Sequence, residues 1–222
     1  MKAFILAAGE GKRLRPFTNN TPKPLFKIQD KALILWTIER LHKAGCTEII
    51  INLSFLGEQI KSCLGDGSEF GVNISYSEEP ELLGTGGGIG NALSILGEEP
   101  FILVSGDVWT DFNFSLLSLE SNMLAHMILI KNPVGREKGD VYLEKGIVEE
   151  RQFGEPLTFS GIAVISPSLF KDVKESKYAL WEAVLRPPVL EGKVSGELYE
   201  GVVFNVNSIV EAEKLDALLS EE

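Results

Sequence analysis

In the first half of the chain, short apolar runs rich in β-branched residues alternate with longer amphipathic segments. This alternation is typical of βα units that build a largely parallel sheet with helices on both faces. It predicts strands at residues 2–8, 47–53, 72–77 and 101–105, and helices at residues 33–44, 56–64 and 88–97. Doubly wound folds of this kind bind ligands beyond the carboxyl ends of their strands. We therefore expect a functional site in the loops 9–24, 78–88 and 106–112.

The pattern changes after about residue 123, where strand-like segments are separated by turns. These segments cover residues 127–133, 140–144 and 158–166. Two helices are expected after them, at 178–186 before the pair Pro187-Pro188, and at 208–220 with Ser208 as the N-cap. We expect this second half to extend the same sheet, so that residues 1–222 form one domain.

The composition argues against several classes of partner. Twenty-one Lys and Arg against 32 Asp and Glu give a net charge of −11, which disfavours binding to the phosphates of nucleic acids. No apolar run approaches the roughly 20 residues needed to cross a bilayer, so we expect no membrane association and a cytoplasmic location. Two cysteines and two histidines are too few for a disulfide framework or a Cys/His zinc site.

The loop that follows the first strand is basic, although the chain as a whole is acidic. Residues 11–29 contain no acidic side chain and five basic ones, namely Lys12, Arg13, Arg15, Lys23 and Lys27. Glycines at a strand exit let backbone N–H groups approach a phosphate, and a guanidinium can bind phosphate oxygens in a bidentate manner. The segment therefore indicates a polyphosphate site, although a Gly-x-Gly turn alone is weak evidence and basic loops are often merely solvated.

Two common phosphate motifs do not fit this loop. The dinucleotide-binding fingerprint requires a third glycine where Leu14 stands. The P-loop requires Gly-Lys-Ser/Thr after a four-residue gap, and the segment has no such sequence.

A longer ordered motif is more specific. Residues 9–18 read Gly-Glu-Gly-Lys-Arg-Leu-Arg-Pro-Phe-Thr and are followed by Pro22-Lys23-Pro24. This combination resembles the opening signature of the sugar-1-phosphate nucleotidyltransferases, G-x-G-x-R-L-x-P-x-T followed by P-K-P. The resemblance implies an α/β fold with a Rossmann-like doubly wound mixed sheet, the nucleotide-diphospho-sugar transferase fold, with a small sugar-binding extension. It also implies that residues 1–122 form the nucleotide-binding half and residues 123–222 the sugar-phosphate-binding half.

The resemblance assigns roles to residues of this first loop. Ala8, Gly9 and Gly11 would bind the nucleotide. Arg13 would bind its phosphates, and Lys23 would neutralise charge where the nucleotide and the sugar phosphate meet. Arg13 and Lys23 are therefore the candidate catalytic residues.

A second glycine-rich segment, residues 84–88, resembles the base- and sugar-reading loop of the family. So many glycines cost backbone entropy, which favours close approach of a flat ligand over a simple flexible turn. We assign Gly84 and Thr85 to the nucleotide and expect Gly86 and Gly87 to line the same wall.

A candidate metal site follows the strand at 101–105. By position alone, Asp107 could be either a turn cap or a metal ligand. The resemblance implies that Gly106 contacts the nucleotide, that Asp107 holds a catalytic Mg²⁺ and that Asp111 caps the next short helix. Near the C-terminus, Asn205-Val206-Asn207-Ser208 stands where relatives carry Asp-Val-Gly-Thr. We assign Asn205 as the second ligand, with Asn207 as the alternative and turn formation open for both.

Two further similarities to the family indicate residues that would bind the sugar phosphate. Gly161, in Thr158-Phe159-Ser160-Gly161, would let the sugar approach the backbone, and Glu149 would accept hydrogen bonds from sugar hydroxyls. Lys23 would bind the sugar phosphate. The chain most resembles the short bacterial N-acetylmuramate-1-phosphate uridylyltransferases of cell-wall recycling, so UTP and N-acetylmuramate 1-phosphate are the favoured substrates. The alternatives are guanylyl or other transfer to a heptose, mannose or glucose 1-phosphate, or an inactive nucleotide-sensing module. A monomer or a homodimer is expected.

Overall fold

The computed structural model describes residues 1–133, 138–151 and 154–220. The strands in these residues are Ala3–Leu6 (β1), Lys27–Ile28 (β2), Lys31–Ala32 (β3), Glu48–Leu53 (β4), Asn73–Glu78 (β5), Phe101–Ser105 (β6), Val108–Thr110 (β7), Ala125–Lys131 (β8), Tyr142–Glu144 (β9), Ile147–Glu149 (β10), Leu157–Ile165 (β11), Val194–Leu198 (β12) and Val203–Asn205 (β13). The α-helices are Leu33–Lys43 (α1), Gly57–Leu64 (α2), Gly84–Leu96 (α3), Arg186–Leu190 (α4) and Ile209–Ser220 (α5).

Nine of these strands form one mixed sheet in the order β5-β4-β1-β6-β11-β8-β12-β10-β9. The first four are mutually parallel, whereas β11 is antiparallel to both of its neighbours, β6 and β8. Strands from both halves of the sequence therefore belong to one sheet. The predicted α/β fold with a doubly wound mixed sheet is confirmed.

Helices cover both faces of the sheet because side chains alternate along each buried strand. In β1, Ala3 and Ile5 pack with α1 and α2, whereas Phe4 points to the other face and packs with α3. A third apolar cluster, which includes Trp109 and Leu215, joins α5 to the short β7–β13 ribbon. None of the helices in the described part of the chain is long and apolar enough to cross a bilayer.

The first strand is shorter than the predicted 2–8, and its end shows why. The Ala7 N–H donates to the side-chain Oδ1 of Asn52 at 2.7 Å instead of to a neighbouring strand. The chain therefore leaves the sheet after Leu6 and enters the basic loop.

The helix predicted at 88–97 begins four residues earlier, at Gly84. The backbone oxygen of Tyr178 accepts from the N–H groups of Gly86 and Gly87, at 3.1 and 3.2 Å. It therefore satisfies donors that a helix N-terminus leaves unpaired. Because this cap comes from a residue about ninety positions away, local sequence patterns could not reveal it.

The break expected at Pro187-Pro188 does not occur. A π-helical turn, Trp181–Leu185, leads directly into α4, whose first turn contains both prolines. The Arg186 N–H, just before the prolines, donates to the Trp181 oxygen five residues back, whereas Pro187 and Pro188 have no N–H to donate. The predicted Ser208 cap of α5 is confirmed, since Ser208 Oγ accepts from the Glu211 N–H at 3.2 Å.

Candidate active site

A cavity of about 490 Å³ opens where β1, β4, β5 and β6 end. The predicted loops supply much of its lining, which comprises Leu6, Ala7, Ala8, Gly9, Glu10, Gly11, Lys12, Arg13, Leu14, Lys23, Pro24, Asn52, Glu79, Leu82, Gly84, Thr85, Ser105, Gly106, Asp107 and Asn207. The structure thus brings together every residue assigned above to the nucleotide, and it places Lys23 and Asp107 among them.

Local backbone geometry fixes the shape of the basic loop. Gly11 has a φ of +62°, in the left-handed region that glycine adopts without strain. Its oxygen accepts from the Leu14 N–H at 2.9 Å and from the Thr18 hydroxyl at 2.8 Å. These bonds and the buried Leu14 side chain form a tight turn that leaves Arg13 exposed at the cavity rim.

Four side chains form a connected polar cluster on one wall. The Lys23 ammonium donates to Asp107 Oδ2 at 2.5 Å and to Asn207 Oδ1 at 2.8 Å. Arg13 Nη2 also donates to Asn207 Oδ1, at 2.7 Å. The loop after β1, the loop after β6 and the segment before α5 therefore meet at one point, although they lie far apart in the sequence.

Burial and the Asp107 carboxylate shift the pKa of Lys23 in opposite directions. Only 12% of its side chain is exposed, and this burial lowers the pKa of its ammonium group. The neighbouring Asp107 carboxylate opposes that shift, while the charge of Arg13 adds to it. The ammonium is held at the cavity wall by its two acceptors, Asp107 and Asn207.

Two oxygen atoms in this cluster have the chemistry of a hard-cation site. Asp107 Oδ2 and Asn207 Oδ1 already converge on one cation, the Lys23 ammonium. Mg²⁺ prefers such oxygen ligands and commonly takes only one or two from protein, with phosphates and water completing the set. Within the described ranges, no group of three or more His, Cys, Asp or Glu could hold a metal without such help.

Asn205, the first choice for the second ligand, does not line the cavity. It ends β13, where it pairs with Val108. Asn207, the alternative second ligand, does line the cavity and shares the Lys23 ammonium with Asp107. Its backbone N–H donates to Glu211 Oε2 at 2.7 Å, which fixes the turn before α5.

Gly86 and Gly87 of α3 have a different role from the one expected. We call residues 176–180 the strap, because this segment crosses the first turns of α3. A Cβ on Gly86 would lie 2.5 Å from the Tyr178 ring, and one on Gly87 would lie 2.4 Å from the Ser176 oxygen. Gly86 and Gly87 therefore make room for the strap rather than lining the cavity wall.

The strap also reaches a residue that does line the cavity. The Leu180 N–H donates to Thr85 Oγ1 at 2.9 Å, which fixes the orientation of that hydroxyl. Gly84 has a φ of +78°, and a Cβ there would lie 2.6 Å from the Tyr178 oxygen. The strap thus shapes the cavity wall formed by Gly84 and Thr85.

The two residues assigned to the sugar do not line this cavity. Glu149 ends β10, which β11, β8 and β12 separate from β6 in the sheet. Gly161 packs behind the cavity wall, where a Cβ would lie 2.7 Å from Ser105 Oγ. The close approach at Gly161 is therefore to Ser105 in this structure.

Two acidic residues near the loops have structural partners. Asp111 does not cap the next helical turn, because its Oδ1 accepts from the Tyr199 hydroxyl and the Val202 N–H. Asn113 caps that turn instead. Glu10 lies 2.6 Å from Lys12, and this hydrogen-bonded ion pair lowers the pKa of the Glu10 carboxyl.

Sequence reasoning missed two buried polar residues of the cavity, Asn52 and Glu79. They are 1% and 5% exposed and lie at the carboxyl ends of β4 and β5. Polar side chains at the exits of two adjacent buried strands were the signal that could have identified them.

Comparisons with known proteins show which family the chain belongs to. Residues 2–132 match the family model described as Nucleotidyl transferase. An N-acetylmuramate alpha-1-phosphate uridylyltransferase from Neisseria meningitidis is 42% identical over 98% of both chains. A UTP–glucose-1-phosphate uridylyltransferase from Synechocystis is 30% identical over 90% of this chain, which spans 53% of that relative.

Solved structures show the same fold. HddC from Yersinia pseudotuberculosis, complexed with GMP-PN, superposes with a TM-score of 0.79 at 21% identity, covering 98% of this chain and 99% of that one. A UDP-glucose pyrophosphorylase complexed with UDP-glucose gives a TM-score of 0.75 at 19% identity, covering 100% and 99%. The chain belongs to the nucleotidyl transferase family, among the sugar-1-phosphate nucleotidyltransferases.

Proposed function

We propose that this protein transfers a uridylyl group from UTP to N-acetylmuramate 1-phosphate and releases pyrophosphate. The main support is the 42% identity over nearly the full length of a relative named for that activity. The cavity lies at the carboxyl ends of the parallel strands and is lined by glycines and by Lys12, Arg13 and Lys23, which supports a nucleoside triphosphate as one substrate.

In the proposed reaction, an oxygen of the sugar 1-phosphate attacks the α-phosphorus of the nucleotide. A new P–O bond forms as the bond between the α-phosphorus and the bridging oxygen breaks, and pyrophosphate leaves. The attacking phosphate is already ionised at neutral pH, so the step needs no general base. Catalysis then depends on positioning and on neutralising negative charge.

Arg13 and Lys23 are the residues that we assign to charge neutralisation. Arg13 is exposed at the rim, where a guanidinium can bind phosphate oxygens in a bidentate manner. Lys23 lies deeper, between the loops that follow β1 and β6. We therefore assign its ammonium to the α-phosphate, where the two substrates would meet.

Asp107 and Asn207 are the residues that we expect to hold Mg²⁺. When bound, the ion would supply positive charge against the triphosphate. One carboxylate and one amide oxygen make a site with a single protein negative charge, so substrate phosphates must provide much of its affinity. Asn205 is not included, because it lies outside the cavity lining.

For the sugar, Glu149 and Gly161 remain candidates on the basis of the family resemblance alone. A reaction that consumes a nucleoside triphosphate fits the expected cytoplasmic location. Whether the protein acts as a monomer or a homodimer stays a prediction.

The proposal is tested by pyrophosphate release with Mg²⁺. UTP, GTP, CTP and ATP are each paired with the 1-phosphates of N-acetylmuramate, glucose, mannose and heptose. We expect the fastest turnover with UTP and N-acetylmuramate 1-phosphate. Faster turnover with another pair would reassign the substrates, and triphosphate binding without turnover on any pair would favour a sensing module.

A further inference from the structure

A carboxylate lies inside the loop that we assign to the phosphates of the nucleotide. Glu10 stands between Gly9 and Gly11, and all three residues line the cavity. Within the described residues, no atom outside its immediate chain neighbours lies within 4 Å of the position that a Cβ on Gly9 would take. The backbone is therefore open to a ligand at this point, next to the Glu10 side chain. A negative charge there opposes the binding of a triphosphate.

The charge of this carboxylate is balanced by a lysine of the same loop. Lys12 Nζ lies 2.6 Å from Glu10 Oε2, and in the described part of the chain it is the one cation within ion-pair distance of Glu10. That oxygen is shielded from solvent. The hydrogen bond with Lys12 lowers the pKa of the Glu10 carboxyl, and the charge of Arg15 adds to the shift, so the group is ionised at neutral pH. We call Glu10 and Lys12 the loop ion pair.

The formal charges of the side chains that line the cavity cancel. Three of these residues are acidic and three are basic, namely Glu10, Glu79, Asp107, Lys12, Arg13 and Lys23. Asp107 accepts from Lys23 and belongs to the proposed metal site. Glu10 instead occupies Lys12, whose ammonium a triphosphate could otherwise use. The loop ion pair therefore removes one positive charge from the phosphate-binding side of the cavity.

The exposure of Lys12 makes the loop ion pair exchangeable. The Lys12 side chain is 70% exposed, and ion pairs formed by solvent-exposed side chains contribute little to stability. A phosphate oxygen and a carboxylate oxygen bind the same ammonium, so a phosphate that enters the cavity can displace Glu10 from Lys12. When that phosphate leaves, Glu10 can bind Lys12 again. The pair can therefore open and close as phosphates enter and leave the loop.

We propose that Glu10 limits how tightly the basic loop holds phosphate groups, because its carboxylate competes with substrate and product phosphates for the Lys12 ammonium. The competition weakens the binding of the nucleoside triphosphate and of the pyrophosphate product alike. It thereby lets pyrophosphate leave the loop after the reaction. This inference rests on the proposed function, in which the loop binds the phosphates of a nucleoside triphosphate.

Three variants separate the contributions of the two charges. Glu10→Gln keeps the shape of the side chain but removes its charge, so that Lys12 is free to bind a phosphate. Lys12→Met removes the ammonium. The double variant Glu10→Gln/Lys12→Met removes both charges, which leaves the loop as neutral at this point as the wild-type ion pair. The matched control is Glu58→Gln, which removes a carboxylate 3.1 Å from Lys61 in an exposed ion pair outside the lining of this cavity.

The experiment measures the binding of inorganic pyrophosphate and of UTP by calorimetry, each with Mg²⁺, and checks folding by melting temperature. We expect Glu10→Gln to bind both ligands about fivefold more tightly than the wild type, as the loss of a competing exposed ion pair allows. This gain should shrink as the salt concentration rises, because salt screens exposed charges. Lys12→Met should bind both ligands more weakly, and the double variant should lie within about twofold of the wild type. Glu58→Gln should bind as the wild type does.

The outcomes separate this inference from the proposed function. If the wild type binds UTP and Glu10→Gln binds pyrophosphate no more tightly, Glu10 does not compete with phosphates, while the proposed function stands. If the double variant keeps the full gain of Glu10→Gln, the gain does not come from Lys12, which overturns the competition. An equal gain in Glu58→Gln would trace the effect to the net charge of the protein and would also overturn it. If the wild type binds no nucleoside triphosphate, the proposed function itself is wrong and this inference falls with it.

Discussion

The Lys23 ammonium lies 2.5 Å from Asp107 Oδ2, which joins the loop after β1 to the loop after β6 across the cavity wall. Asn207 Oδ1 accepts from the same ammonium at 2.8 Å. The two oxygen atoms therefore face a common cation even though the segments that carry them are remote in sequence. This arrangement is the basis for assigning both residues to a metal site.

Asp107→Asn removes the single negative charge of that site. We expect the Mg²⁺ concentration for half-maximal rate to rise about tenfold, because neutral ligands bind divalent cations more weakly. A Mg²⁺ titration of pyrophosphate release, with Mn²⁺ binding as a second readout, measures the change. Asp66→Asn is the charge-matched control, since Asp66 lies outside the cavity lining. An unchanged Mg²⁺ requirement in Asp107→Asn would place the ligand elsewhere.

Asn207→Ala and Asn205→Ala separate the two asparagines. Asn207 accepts from both Arg13 and Lys23, whereas Asn205 lies outside the cavity lining. We expect Asn207→Ala to lower turnover by about tenfold or more and Asn205→Ala to lower it much less. Steady-state rates at saturating and limiting Mg²⁺ provide the comparison. A larger loss in Asn205→Ala would restore that residue as the second ligand.

Gly90→Ala tests the packing of the strap on α3. A Cβ at Gly90 would lie 2.4 Å from the Tyr178 hydroxyl oxygen but 3.5 Å from ring carbon Cζ. We expect the substitution to lower the free energy of unfolding by about 1–3 kcal/mol in the wild-type background. In a Tyr178→Phe background it should instead raise that energy by up to about 1 kcal/mol, because alanine is the better helix former. Denaturant unfolding of the four proteins measures both effects, and the same sign in both backgrounds would contradict the packing.

His126 links stability to pH. Its Nδ1 lies 2.9 Å from Ser195 Oγ, and burial lowers its pKa below the ordinary value of 6.5, while Glu197 and Glu120 oppose the shift. The unfolded chain therefore binds a proton at higher pH than the folded protein does. This stability contribution is present above pH 6.5 and declines as the pH falls below it. Unfolding free energies measured from neutral pH to about pH 5 should fall less steeply for His126→Gln than for the wild type, and equal slopes would refute the linkage.

The sequence was informative where structure and chemistry are local. The strands at 48–53 and 101–105 follow from runs of β-branched and apolar residues, and the basic loop follows from Gly9 to Arg13 as an ordered motif. Each of these features depends on neighbours within a few positions, which is the range over which periodicity and turn chemistry operate.

The remaining features depend on contacts between distant segments. The early start of α3 requires the Tyr178 oxygen, and Gly86 and Gly87 make room for the strap, which is equally remote in sequence. The choice between Asn205 and Asn207 depends on how β13 pairs with β7, because that pairing places Asn205 opposite Val108. No local pattern contains this information.

The central claim is that this cavity carries out nucleotidyl transfer through Arg13 and Lys23. The most direct test is the rate of pyrophosphate release from UTP and N-acetylmuramate 1-phosphate by the wild type, Arg13→Ala and Lys23→Ala, with melting temperatures measured in parallel. We predict measurable turnover by the wild type and a loss of about tenfold or more in each variant, with folding retained. Near-normal rates in both folded variants would contradict the account.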